Sequence, residues 1–317
     1  MTKTKFGVFL PFYALQTRNP TQYYAQLKAL VLECERLGFD AVWLDDHLMY
    51  GDYPILESWT TLCTLAAQTS YIRLGILVTC NAHRNPALLA KSAATLDILS
   101  GGRLEFGIGA GCQQKEHAAY GFSFPNTKER VDMLAEALQV TLSLWTQHVV
   151  DFNGKYYKLN NAACEPKPLQ KPHPPITVGG SGEKYTLRAT AQYADRVDFG
   201  FLTTIEEYER KLGILEQHCN VIGRDFAEIE RSCWPSGQIL LANNETELQK
   251  VIVKSKPADT PLEEYRRGTL AATPQLCVTH LQRYVKLGVT YFLLYFADLP
   301  GTESLRMFAE KVASEFR

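Results

Sequence analysis

An apolar run ends on two carboxylates and an imidazole in AVWLDDHL (41–48), where Asp45, Asp46 and His47 follow Val42, Trp43 and Leu44. Polar groups at the carboxyl end of a buried strand stand where barrels and open α/β sheets carry out chemistry. Three readings fit them: a solvated loop, a metal site, or a histidine poised to hydrogen-bond or exchange a proton with an organic cofactor or substrate. A metal site needs ligands at other strand ends. Segments 75–79 and 107–111 supply no His or acid, so no metal is expected.

VGGSGEKYTLR (178–188) reads as an anion site. A strand ends on Gly179 and Gly180, Ser181 and Gly182 follow, and a helix is expected to begin near Glu183. Backbone N–H groups at such a start bind phosphate, with the Ser181 hydroxyl as a further donor. The plainer reading is a tight turn with a capping serine. FGIGAGC (106–112) has glycine at 107, 109 and 111, but Gln113, Gln114 and Lys115 follow instead of the immediate helix a dinucleotide fingerprint requires. Alternating glycines at a strand end suggest a rim cleared for a flat ring. In RLGILVTCNAHRNP (73–86), Thr79, Cys80 and Asn81 are expected at the same rim, while His83 and Arg84 read equally as structural. Glu57 suits a helix start, where the dipole favours an acid. Glu116 and His117 are further candidates in the loop after strand four.

The elements that must hold these groups repeat. Strand candidates are 5–11, 41–45, 73–79, 104–109, 175–179, 196–201, 231–242 and 289–296, nearly continuous in apolar residues as strands covered on both faces are. Amphipathic helical windows separate them, opened by Asn19-Pro20 and Asn85-Pro86 and closed by Gly38, Gly101 and Gly288. Two stretches break the rhythm. Residues 146–174 read as a hairpin and a Pro-rich connection, and 243–268 as a polar loop over the mouth. The expected fold is an α/β (β/α)8 barrel with insertions after strands four and seven, residues 1–317 forming one domain.

Of the 317 residues, 46% are hydrophobic, enough for a large core, and the formal net charge of −1 offers no basic patch to a nucleic acid. The eight cysteines show no CxxC pair. No signal pattern or long uncharged apolar stretch appears. A cytoplasmic protein with reduced thiols, a small-molecule substrate and no nucleic-acid or membrane partner is expected.

GFDAVWLDDHL (38–48), RLGILVTCNAHRNPALLAKSAATLDILSGGRLEFGIGAG (73–111), EPKPLQKPHPPITVGGSGEK (165–184) and LGVTYFLLYF (287–296) together resemble the luciferase-like flavin oxidoreductase superfamily. The subgroup most resembled uses the deazaflavin coenzyme F420, marked by an Asp-His pair matched by Asp46-His47. The resemblance implies a barrel with the cofactor ring at its mouth, backed by a non-prolyl cis peptide at about Leu77–Val78. It implies ring contacts from Asp46, His47, Leu77, Val78, Thr79, Cys80, Ala110, Gly111 and Cys112, and phosphate contacts from Gly179, Gly180, Ser181, Gly182 and Glu183. Hydride would pass between the coenzyme and an unsaturated or carbonyl-type substrate. His47 would exchange a proton, and Asp46 would fix its tautomer or contact the cofactor. Phe12, Tyr13, Tyr50 and Glu57 are expected to shape the substrate pocket, and a homodimer through helices near strands two and three is implied. The sequence departs from the sugar-phosphate dehydrogenases of the superfamily. Cys112 stands where they carry a Glu, and Tyr50-Gly51 where a Trp follows the His, so that substrate class is not carried over. The alternative is an FMN-dependent monooxygenase, whose reaction with O₂ needs nitrogen at ring position five. A flavin-holding barrel without turnover is a third reading.

Overall fold

Asparagine–proline pairs start two of the helices as the sequence suggests. The Asn19 side chain accepts from the amides of Thr21 and Gln22, and Asn85 from those of Ala87 and Leu88, at 2.9–3.4 Å. The proline that follows occupies the first helical position, where no N–H is needed. Gly38, at φ 75°, lets the chain leave the first of these helices.

The computed structural model describes every residue except Met1, Thr2, Gln16, Arg18 and Thr203, and omits the side chain of Pro20. Among the described residues, eight parallel strands alternate with eight helices. They run β1 (Lys5–Phe9), α1 (Pro20–Arg36), β2 (Ala41–Leu44), α2 (Ser58–Ala66), β3 (Arg73–Ile76), α3 (Pro86–Leu99), β4 (Leu104–Gly109) and α4 (Thr127–Thr146) in the first half. β5 (Ile176–Gly179), α5 (Thr186–Tyr193), β6 (Arg196–Asp198), α6 (Ile205–Ile222), β7 (Glu230–Cys233), α7 (Pro274–Val285), β8 (Tyr291–Leu294) and α8 (Glu303–Lys311) complete the second. The sheet order 3-2-1-8-7-6-5-4, with β3 also pairing β4, closes a (β/α)8 barrel. No helix among the described residues is long and apolar enough to cross a membrane.

Strand alternation divides the core. Val42 and Leu44 pack outward into the large cluster under the helices, while Ala41, Trp43, Leu77, Tyr291 and Leu293 fill the barrel. Trp43 occupies space that glycines leave: a Cβ on Gly7 would lie 2.6 Å from its Nε1, and one on Gly75 2.5 Å from its Cε3. At the amino end of the barrel, Arg196 donates to Glu105 and Glu230 at 2.7 Å each. Arg73 also pairs with Glu105, and Lys5 with Glu230 at 2.9 Å.

Two expectations change. The run 231–242 is not one strand. Pro235, without an N–H, and Gly237, whose Cβ would lie 2.7 Å from the Gly268 carbonyl, break it. The first part stays in the barrel. Gln238–Leu241 instead pairs in parallel with Thr269–Ala272 outside it. Segment 243–268 is not a bare loop either, because it holds helices at Glu245–Ser255 and Leu262–Gly268. Leu248, Ile252 and Tyr265 bury themselves against the added strand pair, with Leu240 and Ala242.

Candidate active site

β2 delivers Asp45, Asp46 and His47 to the carboxyl rim, and each meets a different partner. Asp46 is 6% exposed. Its carboxylate takes a bidentate pair from Arg84, at 2.5 and 2.8 Å, and the Cys80 amide at 2.7 Å. Arg84 also reaches Glu57 at 2.8 Å, while Glu57 caps α2 through the Thr60 amide at 2.7 Å. Asp46 and Glu57 therefore share one guanidinium, and their joint effect is to anchor the exit of β3 against β2.

Asp46 does not set the tautomer of His47; Glu116 does. His47 Nδ1 lies 3.2 Å from Glu116 Oε2. The other carboxylate oxygen accepts from the amides of Leu48 and, at 3.2 Å, Met49. An ionised carboxylate only accepts, so Nδ1 carries the proton and Nε2 is left with a lone pair. Glu116 stands on a short helix at Gln114–Ala119, where the sequence suggests a loop. Glu116 and His117, adjacent candidates in the sequence, are both buried on this six-residue helix. Glu116, however, reaches His47 across 69 residues and His117 reaches Cys80 across 37.

Asp45 and Asp198 end β2 and β6 as buried carboxyls. The Phe12 amide donates to Asp45 Oδ1 at 2.9 Å, and Oδ2 has no partner among the described residues. Asp198 Oδ1 accepts from Trp234 Nε1 and the Gly200 amide, both at 2.9 Å. Burial pushes each carboxyl up to about 6. Neither Asp198 nor Trp234 was singled out from sequence, although Arg196-Val197-Asp198 ends on an acid as 41–47 does. A folded-state value above the unfolded one contributes stability below about pH 4, lost as pH rises through about 6. Asp198→Asn keeps the acceptor without the charge. It should be more stable than the parent at pH 7, by on the order of 2–3 kcal/mol, and nearly equal to it at pH 4. Urea unfolding at the two pH values measures this.

The peptide Leu77–Val78 is cis, as the resemblance implied. Leu77 turns inward onto Trp43 and Tyr291, and Val78 is half-buried at the mouth. The glycines at 107, 109 and 111 each lie against the end of strand three. A Cβ at Gly107 would strike the Ile76 carbonyl, at 2.1 Å, one at Gly109 Val78 Cγ2, at 2.7 Å, and one at Gly111 Cys80 Sγ, at 2.8 Å. Gly179 likewise faces Val78, at 2.7 Å. The glycines make room for the irregular end of strand three, and Val78 is what rises between them. Thr79 and Cys80 rejoin β4 opposite Ile108 and Gly109. Cys80 is buried and its thiol is pushed up to about 12, chiefly by desolvation, so at neutral pH it stays protonated. Ala110 and Gly111 are half-buried and Cys112 exposed beside them.

Past β5 the chain turns at Gly180, φ 128°, whose amide is spent on the Asp198 carbonyl at 2.8 Å. The helix starts at Thr186, not near Glu183. Among the described residues the amides of Ser181, Gly182 and Glu183 donate to nothing. Lys211 braces the loop through the Ser181 carbonyl, at 2.9 Å, and the Glu183 carboxylate, at 2.7 Å. Arg210 pairs with Glu183 as well, at 2.8 Å, and hydrogen bonds from the two cations hold that carboxyl down at about 2. A Cβ on Gly182 would lie 2.9 Å from Thr186 Oγ1. Free amides around a close turn, with a hydroxyl beside them, form an anion cradle.

Phe12 does not face the mouth. It is fully buried in a 3-10 turn (Phe12–Leu15) and stacks on Tyr23 at 6.4 Å. Tyr13 does, stacked on Tyr50 at 5.1 Å and edge-on to Tyr295 at 6.3 Å. Phe9 and Trp234, 5.2 Å apart, extend this aromatic wall.

Three comparisons bear on this arrangement. A family model described as luciferase-like monooxygenase matches residues 4–256. An F420-dependent glucose-6-phosphate dehydrogenase of Amycolatopsis mediterranei is 33% identical over 317 residues, covering 90% of this chain and 92% of that protein. One from Kineococcus radiotolerans is 28% identical over 316 residues, covering 90% of each. A solved F420-dependent secondary alcohol dehydrogenase in complex with an F420-acetone adduct superposes with a TM-score of 0.79 at 22% identity, over 98% of both chains.

Proposed function

The chain belongs to the luciferase-like monooxygenase family, and from that premise we propose that it is a coenzyme F420-dependent oxidoreductase acting on a small carbonyl or alcohol. Two relatives similar in sequence over nine-tenths of the chain are F420-dependent glucose-6-phosphate dehydrogenases, which favours F420 over FMN. The observation that carries the catalytic reading is the His47–Glu116 pair just past the carboxyl end of β2.

The residues present fit the group. The unbonded amides of Ser181, Gly182 and Glu183 suit a phosphate, and Val78, flanked by Gly109 and Gly179, offers an apolar face to a planar ring. When bound, the coenzyme supplies a hydride acceptor and donor at a ring carbon. The chain supplies the proton chemistry. His47 Nε2, freed by the Nδ1–H bond to Glu116, takes the proton from a substrate hydroxyl, or returns it to a carbonyl oxygen in reverse. Glu116 holds the ring and stabilises the imidazolium. Asp46 and Arg84 lock the Cys80 amide and so the position of Val78. The aromatic wall of Tyr13, Tyr50 and Tyr295 suits an uncharged or weakly polar substrate flank.

Assembly as a homodimer belongs to the same proposal. Leu88 and Leu99 on α3 and Tyr71 before β3 are exposed apolar side chains on the implied face. Incubation of the protein with oxidised F420 and a panel of short secondary alcohols, sugars and sugar phosphates tests the reaction. Loss of the coenzyme's oxidised absorbance with at least one alcohol or sugar is expected. Oxygen-dependent turnover with FMNH₂ and none with F420 would reverse the reading.

A further inference from the structure

A second constellation lies behind the mouth, where the exit of β3 meets the short helix at Gln114–Ala119. Cys80 Sγ, a ring nitrogen of His83 and a ring nitrogen of His117 all lie within 4.8 Å of one another. We infer that Cys80, His83 and His117 form a binding site for a single soft divalent cation, Zn²⁺ being the type.

Four observations carry this. Cys80 Sγ and His117 Nε2 are 3.8 Å apart. Tetrahedral zinc, with Zn–S about 2.3 Å and Zn–N about 2.0–2.1 Å, holds such atoms roughly 3.6 Å apart. His117 Nδ1 lies 2.9 Å from the Gln113 carbonyl. That bond puts the proton on Nδ1 and leaves the Nε2 lone pair toward the thiol, as the outer partner of a metal-bound histidine does. Both ring nitrogens of His83 are buried without a hydrogen-bond partner among the described residues. An unpaired buried imidazole is costly, and a cation would satisfy it. Finally, residue 111 is glycine at φ 82°. A Cβ there would stand 2.8 Å from Cys80 Sγ and 3.3 Å from His117 Cε1 and Nε2, in the gap where an ion would sit.

Phe122 stacks on His83 at 5.0 Å, and Phe124 meets His117 edge-on at 4.8 Å, closing the apolar side of the cluster. One thiolate and two imidazoles select Zn²⁺ or Co²⁺ over Mg²⁺ or Ca²⁺. Binding breaks the metal–water bonds of the hydrated ion but one, which fills the fourth tetrahedral position, forms one metal–sulfur and two metal–nitrogen bonds, and releases the other waters and the Cys80 thiol proton to solvent. No electron moves. The ion would pin strand three's exit to the helix that carries Glu116, and so steady His47 from behind. The inference rests on these side chains alone and does not depend on the coenzyme.

The test uses the full chain, stripped by chelator and kept reduced, titrated with Co²⁺ alone and followed by absorbance. One equivalent per chain, with intense tetrahedral bands and a thiolate charge-transfer band, both abolished by Zn²⁺, is expected. His83→Ala, at a half-buried position, should weaken Co²⁺ binding by about 100-fold or more. Cys80→Ser, its folding checked by circular dichroism, should remove the charge-transfer band. Cys63→Ser, at an exposed thiol on α2, should change nothing. Weak octahedral bands in the parent, affinity unchanged in His83→Ala, or loss of binding in Cys63→Ser would each overturn the assignment.

Discussion

Glu116→Gln lowers the rate of coenzyme-dependent turnover by about 10²-fold or more, within the range that general acid–base groups contribute. The amide retains an oxygen for the Leu48 and Met49 amides, so the loop keeps its shape. What disappears is the charge 3.2 Å from His47 Nδ1. The loss falls on kcat, with coenzyme affinity nearly unchanged, because Glu116 touches His47 and not the cradle at Ser181. His47→Ala has an effect of similar size, and the double variant is scarcely worse than either single one, as expected of groups acting as a unit. Steady-state kinetics on the three variants checks this. Additive losses, or a Glu116→Gln enzyme with parental kcat, would dissolve the pair.

The largest expected effect on stability lies at the opposite end of the barrel. Arg196 and Glu105 are each 3% exposed and 2.7 Å apart. Burial pushes the Glu105 carboxyl up, but Arg196 and Arg73 outweigh it and hold the carboxyl below its ordinary range. Glu105→Ala leaves Arg196 with one carboxylate partner, Glu230, and Arg73 without its carboxylate partner. Removing one member of a buried pair typically costs about 3–5 kcal/mol. A lowered folded-state value also gives the pH sign. The contribution is complete above the unfolded carboxylate pKa and is lost as pH falls through the folded one. The gap between Glu105→Ala and the parent should therefore be widest near neutrality and shrink in acid, as for Asp198→Asn, but with the opposite sign: Glu105→Ala is less stable than the parent and Asp198→Asn more stable. Urea unfolding from pH 3 to 7 reads both. A gap under about 1 kcal/mol at pH 7 would mean the pair is no more than a surface one.

Most of the strands were legible because their apolar runs are nearly continuous, and two of the helix starts because Asn-Pro is a local signal. The cis bond at Leu77–Val78 came only through the family resemblance. What was not legible depends on contacts between segments far apart in the chain. Glu116 reaches His47 across 69 residues and Arg84 reaches Asp46 across 38, and neither distance leaves a periodicity. The glycines at 107, 109 and 111 announce a close approach but not what approaches. They face the strand-three backbone, Val78 and Cys80, contacts that no local pattern reveals. The split at Pro235 was visible as a proline inside an apolar run, yet hydropathy alone joined the two halves.

The anion cradle and the Val78 face stand or fall by which ring they hold. An anaerobic equilibrium titration of the purified chain with F420 and, in parallel, with FMN decides it. Saturable binding of F420 that weakens when Gly182→Asp places a carboxylate among the Ser181–Glu183 amides, with FMN bound poorly, is the expected result. Tight FMN binding with no measurable affinity for F420 would contradict it.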